Sequence, residues 1–332
     1  MRNDALTAVQ YGIGPIGSRI VQAAHRTGVE FVGAVDIDPE KVGRDLGDVA
    51  GLDADLGVDV TDDAAEALAA DPDVVFHSTV SSVEAAAPQL KEALEAGGNV
   101  VSTTEELSYP WWSNAGVAED LDAVAREHDG TVLGTGINPG FVMDAMPAVL
   151  STPMASVESV HVERVQNASE RRRPLQKKVG AGVTEKTFAA EIATEAGHVG
   201  STESVAMLAD ALDFEIDEIE ESIEPVLADE RVETEYVTAE AGEVAGIKQV
   251  AHGYVDGEAV VTLDLQMYVG ADEPHDRVEF DGEPDVAVEV EGGYHGDVST
   301  SAVVANVAPT VVDADPGLAT MTDVATSYSR HR

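Results

Sequence analysis

The sequence predicts an α/β protein: a doubly wound parallel sheet comes first, then an α+β domain whose sheet is mainly antiparallel. Three observations carry this. Up to residue 138, short β-branched runs alternate with helical stretches, as parallel strands covered on both faces require. A glycine-rich element, G-I-G-P-I-G, joins the first of those runs to the first helical stretch. Past residue 150 the period falls to two: Val261, Leu263, Leu265, Met267 and Val269 alternate with Thr262, Asp264, Gln266 and Tyr268, the pattern of a half-buried strand.

In chain order, "LTAVQYGIG" is an apolar strand ending in glycine turns, and "PIGSRIVQAAHRTG" is a helix with Ile16, Ile20, Val21 and Ala24 on one side. "EFVGAVDID", "DVVFHSTV" and "NVVSTT" are further strands, with the helix "SSVEAAAPQLKEALEAGG" between the last two. The helix "NAGVAEDLDAVAREHDG" and the strand "TVLGTGIN" close the first half. Strands are then expected in "SVESVHVERV", between "ETEYV" and "QMYVG", and in "DRVEFDG" and "DVAVEVEGG", with helices at about 185–196 and 201–224. From Asp297 the chain turns helical again and is expected to pack back on the first domain. A chain of 332 residues is long for one core, and the expected division is 1–140, 141–296 and 297–332.

Composition excludes several functions. There is no cysteine, so disulfides, thiolate metal sites and cysteine nucleophiles are ruled out. The histidines are scattered, with no H-x-x-x-H pair to suggest a metal. No apolar run reaches the roughly 18 residues of a membrane span, and the N-terminal residues carry no signal-peptide core. A cytoplasmic location is expected. Sixty-three Asp and Glu against 19 Lys and Arg give a net charge of -44, spread along the chain. Nucleic acid is a poor partner for such a surface. Salt screens self-repulsion over a Debye length of about 3 Å at 1 M, so the expectation is a protein adapted to the salty cytoplasm of a halophile.

The glycine element carries the chemistry of a dinucleotide site. Gly12, Gly14 and Gly17, with Pro15 and Ile16 between them, stand where a tight turn lets backbone approach a pyrophosphate and a helix N-terminus faces the anion. Asp36 ends the second strand, 19 residues after Gly17, where an acid accepts from ribose hydroxyls and repels a 2′-phosphate. The combination predicts a Rossmann domain that takes NAD by preference, with NADP admitted by Arg44 downstream. Ser78 and Thr79, at the end of the next strand, and Asn138 and Pro139, in the turn of "GTGINPGFVMD", are further candidate cofactor contacts.

"VVSTTEELSYPWW" is the candidate catalytic segment. Glu105 and Glu106 follow a strand that ends near the cofactor edge, and the chain's two tryptophans, Trp111 and Trp112, lie just beyond Tyr109. A carboxylate among aromatic rings can hold a substrate ammonium or take a proton. An acid pair at a helix N-terminus, favoured by the dipole, is the competing explanation. One functional glutamate is therefore expected, Glu105 ahead of Glu106. His198, between glycines in "EAGHVGSTES", is a candidate proton carrier or a capping residue. Tyr109 and Phe141 are candidate substrate contacts. So is a basic island in which Arg171, Arg172, Arg173, Lys177 and Lys178, five of the 19 cations, fall within eight residues. Read as a loop ending in "GAG", the island would fold over the cofactor edge and bind its phosphates or a substrate carboxylate.

Seven stretches, "GIGPIGSRI", "VDIDPEKVGRDLGDVAG", "STTEELSYPWW", "GTGINPGFVMD", "RRRPLQKKVGAG", "GHVGSTESVAMLADAL" and "GDVSTSAVVANVAP", run in order along nearly the whole chain. In them the sequence resembles the 2,4-diaminopentanoate dehydrogenase family, which includes native NAD(P)H-dependent amine dehydrogenases and is related in fold to dihydrodipicolinate reductase. The resemblance implies a homodimer and hydride exchange between a nicotinamide and a C–N centre. An amine or amino acid would be exchanged for a ketone and ammonia. A glutamate in the segment of Glu105 and Glu106 would hold the amine. A dihydrodipicolinate reductase-like imine reductase is the alternative on the same fold, although the paired histidines and P-S-G-T-type loop of that enzyme are absent from this sequence. A non-catalytic NAD(P)-binding sensor is the alternative of a different class.

Overall fold

The computed structural model describes residues 5–193 and 197–329. The chain forms two compact units, Met1–Phe141 with His295–Arg332, and Val142–Tyr294.

The first unit is built on the strands β1 (Thr7–Tyr11), β2 (Glu30–Val35), β3 (Val60–Thr61), β4 (Val74–His77), β5 (Asn99–Ser102) and β6 (Thr131–Gly134). Between them run the helices α1 (Pro15–Arg26), α2 (Leu46–Ala50), α3 (Ala64–Leu68), α4 (Val83–Glu95) and α5 (Ala115–Glu127). The second unit contains α6 (Ala145–Leu150), β7 (Ser156–Asn167), α7 (Arg173–Lys178), α8 (Glu185–Thr187), α9 (Ser201–Ala211), β8 (Glu218–Leu227), β9 (Val232–Glu233), β10 (Thr238–Ala239), β11 (Val244–Val255), β12 (Glu258–Tyr268), β13 (His275–Glu283) and β14 (Val286–Glu291). The chain then returns to the first unit with α10 (Gly296–Val312) and β15 (Gly317–Ala319).

The first sheet has seven parallel strands in the order β15-β6-β5-β4-β1-β2-β3. The strand period of two sends neighbouring residues into different cores. Ala8, Val74, Phe76, Val101 and Leu133 pack on one face with Ile20, Val21 and Ala24 of α1 and Val304, Ala308 and Val311 of α10. Val9, Val75, Val100 and Val132 pack on the other with Leu90 and Leu94 of α4 and Leu121 of α5. Because both faces are covered, these strands are mainly apolar, with no alternation along them.

The second sheet runs β14-β13-β7-β12-β11-β8. All of its pairs are antiparallel except β7 with β12, which is parallel. Between β7 and β13 a buried ion pair joins Arg164 Nη1 to Asp276 Oδ1 at 2.5 Å, with the side chains 3% and 1% exposed. Tyr294 closes the group: its N–H donates to Asp276 Oδ2 at 2.7 Å and its carbonyl accepts from Arg164 Nη2 at 2.8 Å. Burial pushes the Asp276 carboxyl up, against the Arg164 guanidinium and the Tyr294 N–H that hold it down.

Three expectations for this unit differ from the structure. The helix expected over 201–224 ends at Ala211, and residues 218–227 are the edge strand β8. Ile219 and Ile223 have helical spacing, but register with β11 overrides that local pattern. The helix expected at about 185–196 is short: α8 passes into a π-helical turn at Phe188–Ile192, and residues 194–196 lie outside the described residues. The basic island is in part helical. Pro174, in the first turn of α7, carries the helix-start signal that the loop reading overlooked. Among the described residues, no helix is long and apolar enough to cross a membrane.

Removing one member of a buried ion pair costs about 3–5 kcal/mol, because the other charge stays buried alone. Arg164→Met should lose that much in denaturant unfolding, and Arg164→Met with Asp276→Leu should recover most of it. Equal losses in the single and double variants would show that the pair is not a unit.

Candidate active site

The glycine turn is held from three sides. Gly12, at φ +86°, donates its N–H to Val35 O at 2.8 Å. Its carbonyl accepts from Gln10 Nε2 and Ser78 Oγ, both at 2.8 Å. Ile13 N–H donates to Asp36 Oδ2 at 2.8 Å. A Cβ on Gly12 would lie 2.6 Å from Ser78 O, and one on Gly17 only 2.1 Å from Gly12 O. Gly14 faces open space, with nothing within 4 Å of where a Cβ would be. It is also the N-cap of α1, with no side chain capping the helix. Helix N–H groups without an internal partner therefore face the space in front of Gly14. These residues fit a dinucleotide pyrophosphate, with Pro15 and Ile16 opening the helix.

Asp36 is the charge centre beside this turn. Its Oδ1 accepts from Asp38 N–H at 2.9 Å, and its Oδ2 accepts from Lys41 Nζ at 2.9 Å in addition to Ile13 N–H. Burial favours protonation, but the hydrogen bonds from Lys41, Asp38 N–H and Ile13 N–H, with the Lys41 charge, outweigh it and hold the carboxyl below its usual value. Arg44 points elsewhere: its Nε and Nη2 lie 3.1 and 2.8 Å from Asp48 Oδ2.

The loops after β4 and β5 meet at the same sheet edge. Glu106 N–H donates to Ser81 O at 3.2 Å, and its carboxylate accepts from Val83 N–H, at the start of α4, at 2.9 Å. Thr104 Oγ1 donates to Val80 O at 2.8 Å. Beneath them the buried His77 ring has Nδ1 2.9 Å from Ser102 Oγ, and Nε2 2.8 Å from Gln89 Oε1 and 2.9 Å from Thr79 Oγ1. Burial, against the Gln89 hydrogen bond, takes the His77 pKa down to about 4, so the ring is neutral. Glu105, one residue before Glu106 in a 3₁₀ turn, is half-buried. Among the described residues no hydrogen-bond partner engages its carboxylate, and only its carbonyl is used, by Ser108 Oγ. Tyr109 stacks edge-on with Trp111, ring centroids 5.3 Å apart. The loop after β6 carries the cis Asn138–Pro139 peptide and is tied to α10 through Ile137 N–H and Thr300 Oγ1 at 3.2 Å. Phe141 ends this segment of the first unit.

The C-terminal edge of the first sheet thus brings together Gly12–Gly17, Asp36, Ser78, Thr79, Glu105, Glu106, Tyr109, Asn138 and Pro139. Apart from Phe141, the other candidates belong to the second unit. Arg172, Lys177 and Lys178 are exposed at the ends of α7, and Arg171 is half-buried. Gln176 anchors that helix by bonds from its Nε2 to Ser169 O and Arg171 O, both at 2.9 Å. His198 is half-buried, with Nδ1 2.8 Å from Val199 O. Its backbone is clamped by Gln249, which accepts from His198 N–H at 2.6 Å and donates to His198 O at 2.9 Å. Sequence reasoning missed Gln10, His77, Gln89 and Lys41. Only Gln10 and His77 left a signal, as polar residues inside apolar strands.

Comparison with known proteins decides the family. The profile of the 2,4-diaminopentanoate dehydrogenase C-terminal domain matches residues 141–330, and that of the dihydrodipicolinate reductase N-terminus matches residues 9–108. The chain is 32% identical over 325 residues to the 2,4-diaminopentanoate dehydrogenase of Acetoanaerobium sticklandii, covering 94% of this chain and 91% of that protein. It belongs to the 2,4-diaminopentanoate dehydrogenase family. Within and around this family, an amine dehydrogenase of Streptomyces virginiae is 25% identical over 315 residues, covering 88% and 86% of the two chains. The structure of an amine dehydrogenase from Mycobacterium smegmatis superposes with a TM-score of 0.85 at 26% identity, over 99% of this chain and 98% of that one. A dihydrodipicolinate reductase from Paenisporosarcina shares the fold, with a TM-score of 0.53 at 12% identity over 94% and 97% of the two chains.

The neutral His77 makes a signed prediction. A histidine that titrates near 6.5 unfolded and about 4 folded leaves stability intact above 6.5, and about 3 kcal/mol is lost as pH falls to 4. The stability advantage of the wild type over His77→Gln should shrink across that window in denaturant titrations. A constant difference would mean that the ring is not held neutral.

Proposed function

We propose that this chain, an NAD(P)-dependent dehydrogenase acting on carbon–nitrogen bonds, interconverts a small amine or amino acid with its ketone and ammonia. In the oxidative direction, ammonium substrate, oxidised cofactor and water give ketone, ammonium ion, reduced cofactor and a proton. The observation that carries this reading is the unlike use of two adjacent acids. Glu106 is engaged in capping α4, while the Glu105 carboxylate has no hydrogen-bond partner among the described residues, in the same segment that carries the Tyr109–Trp111 ring pair. We assign Glu105 to the substrate: it holds the ammonium by charge, then takes a proton from the amine or the attacking water. Glu106 is assigned as the residue that positions this turn.

When bound, the nicotinamide supplies the hydride acceptor or donor. Gly12, Gly14, Pro15, Ile16 and Gly17 are assigned to the pyrophosphate, Asp36 to the adenosine ribose, and Ser78, Thr79, Asn138 and Pro139 to the nicotinamide half. Asp36 supports a preference for NAD over NADP. Tyr109 and Phe141 are assigned to the substrate. His198 is assigned as an auxiliary proton carrier. Arg171, Arg172, Lys177 and Lys178 are assigned to the cofactor's phosphates or a substrate carboxylate. A homodimer in a salty cytoplasm completes the proposal. The even spread of acid along the chain supports the salt adaptation, and the family resemblance supports the dimer.

Reduced cofactor should be consumed with ammonia and one of a panel of short ketones or keto acids. Cofactor binding without turnover on any of them would favour a sensor. Glu105→Gln should cut turnover by about 10²-fold or more while binding of reduced cofactor stays within about twofold. Glu106→Ala should mainly lower stability, by about 1 kcal/mol, the scale of a lost helix cap. The reverse ranking of the two acids would overturn their roles. Because screening relieves like-charge repulsion, the melting temperature should rise steadily between about 0.1 and 2 M KCl. A flat response would remove the salt adaptation.

A further inference from the structure

Lys41 lies in the loop after β2, with Nζ 2.9 Å from Asp36 Oδ2 and 3.5 Å from Asp38 Oδ2. The Lys41 and Asp36 side chains are 23% and 10% exposed. A carboxylate offers about four lone-pair sites. Asp36 uses one for Asp38 N–H, one for Ile13 N–H and one for Lys41. A single site is left, and an adenosine ribose brings two hydroxyls. Asp36 can accept both only if Lys41 withdraws. A ribose bearing a 2′-phosphate poses the opposite problem, because that dianion meets a carboxylate whose charge is firmly held. There the ammonium at Asp36 is the group that offsets repulsion. Lysine suits the task as a mobile point charge on a flexible stem. Arg44, the other cation of the loop, is committed to Asp48 and to Glu40 O at 3.2 Å.

We propose that Lys41 is the cofactor-specificity residue of this protein. Its ammonium moves between Asp36 and the 2′-phosphate, so that one site takes both NAD and NADP. The proposal rests on the reading of the glycine turn and Asp36 as a nicotinamide dinucleotide site.

Equilibrium binding of NADH and NADPH, followed by cofactor fluorescence at fixed salt and without substrate, tests it. The full-length wild type should bind both. Lys41→Met should weaken NADPH by about tenfold or more, the scale of one charge-assisted contact, while NADH changes by less than about threefold or tightens. Lys41→Arg should retain NADPH binding, which separates lost charge from lost structure. Equal losses for the two cofactors in Lys41→Met, unchanged NADPH binding in that variant, or a wild type that binds NADH alone would each overturn the role of Lys41. A wild type that binds neither cofactor would instead overturn the dinucleotide reading itself.

Discussion

The hydrogen bond from Ile13 N–H to Asp36 Oδ2, 2.8 Å long, ties the glycine turn to the end of β2. It fixes the turn and the Asp36 charge proposed for the ribose in one contact. The carbonyl of Gly12, turned the other way, is held by Gln10 and Ser78. Three strands, β1, β2 and β4, therefore share control of one peptide turn. The spacing leaves no room for side chains at Gly12 and Gly17. At Gly14 the same turn opens outward. Close packing behind the turn and free space in front are two sides of one arrangement.

A second layer of order lies under the loops after β4 and β5. Buried His77, Ser102 and Thr104, with half-buried Gln89 at one end, form a polar chain across the ends of both strands. Such a chain is costly unless its members are partnered, and here it fixes two loops at once. Glu106 extends the link to α4. The neighbouring acids then differ in environment although they are identical in type: the Glu106 carboxylate is bonded to Val83 N–H, and that of Glu105 has no hydrogen-bond partner among the described residues.

The parallel sheet was legible in the sequence because burial on both faces leaves apolar strands with nothing else to form. The tight glycine turn was legible for a similar reason, since Gly12, Gly17 and Asp36 obey steric and charge rules local to a strand–turn–helix unit. The choice between Glu105 and Glu106 was not fully legible. It turns on Val83 N–H, more than twenty residues away in the chain, which no spacing rule connects to them. Lys41 was passed over for Arg44 because both are cations on one loop, and only the fold shows which of them reaches Asp36. The edge strand β8 read as a helix because glutamate and isoleucine at four-residue spacing satisfy that pattern equally well. Its pairing with β11, and the Glu221 carboxylate that accepts from Gln249 Nε2, are properties of the folded chain alone.

The first unit is discontinuous, and this sets an order of events during synthesis. Phe141 is made long before Gly296, yet α10 covers the face that Ile20, Val21 and Ala24 of α1 present. Until it emerges, the nascent sheet also lacks β15, its seventh strand. The second unit, from Val142 to Tyr294, is complete earlier and can close its own core while the nucleotide-binding half still waits. Of the two units, the one begun first is therefore the one finished last, and its α1 face stays uncovered until α10 is made.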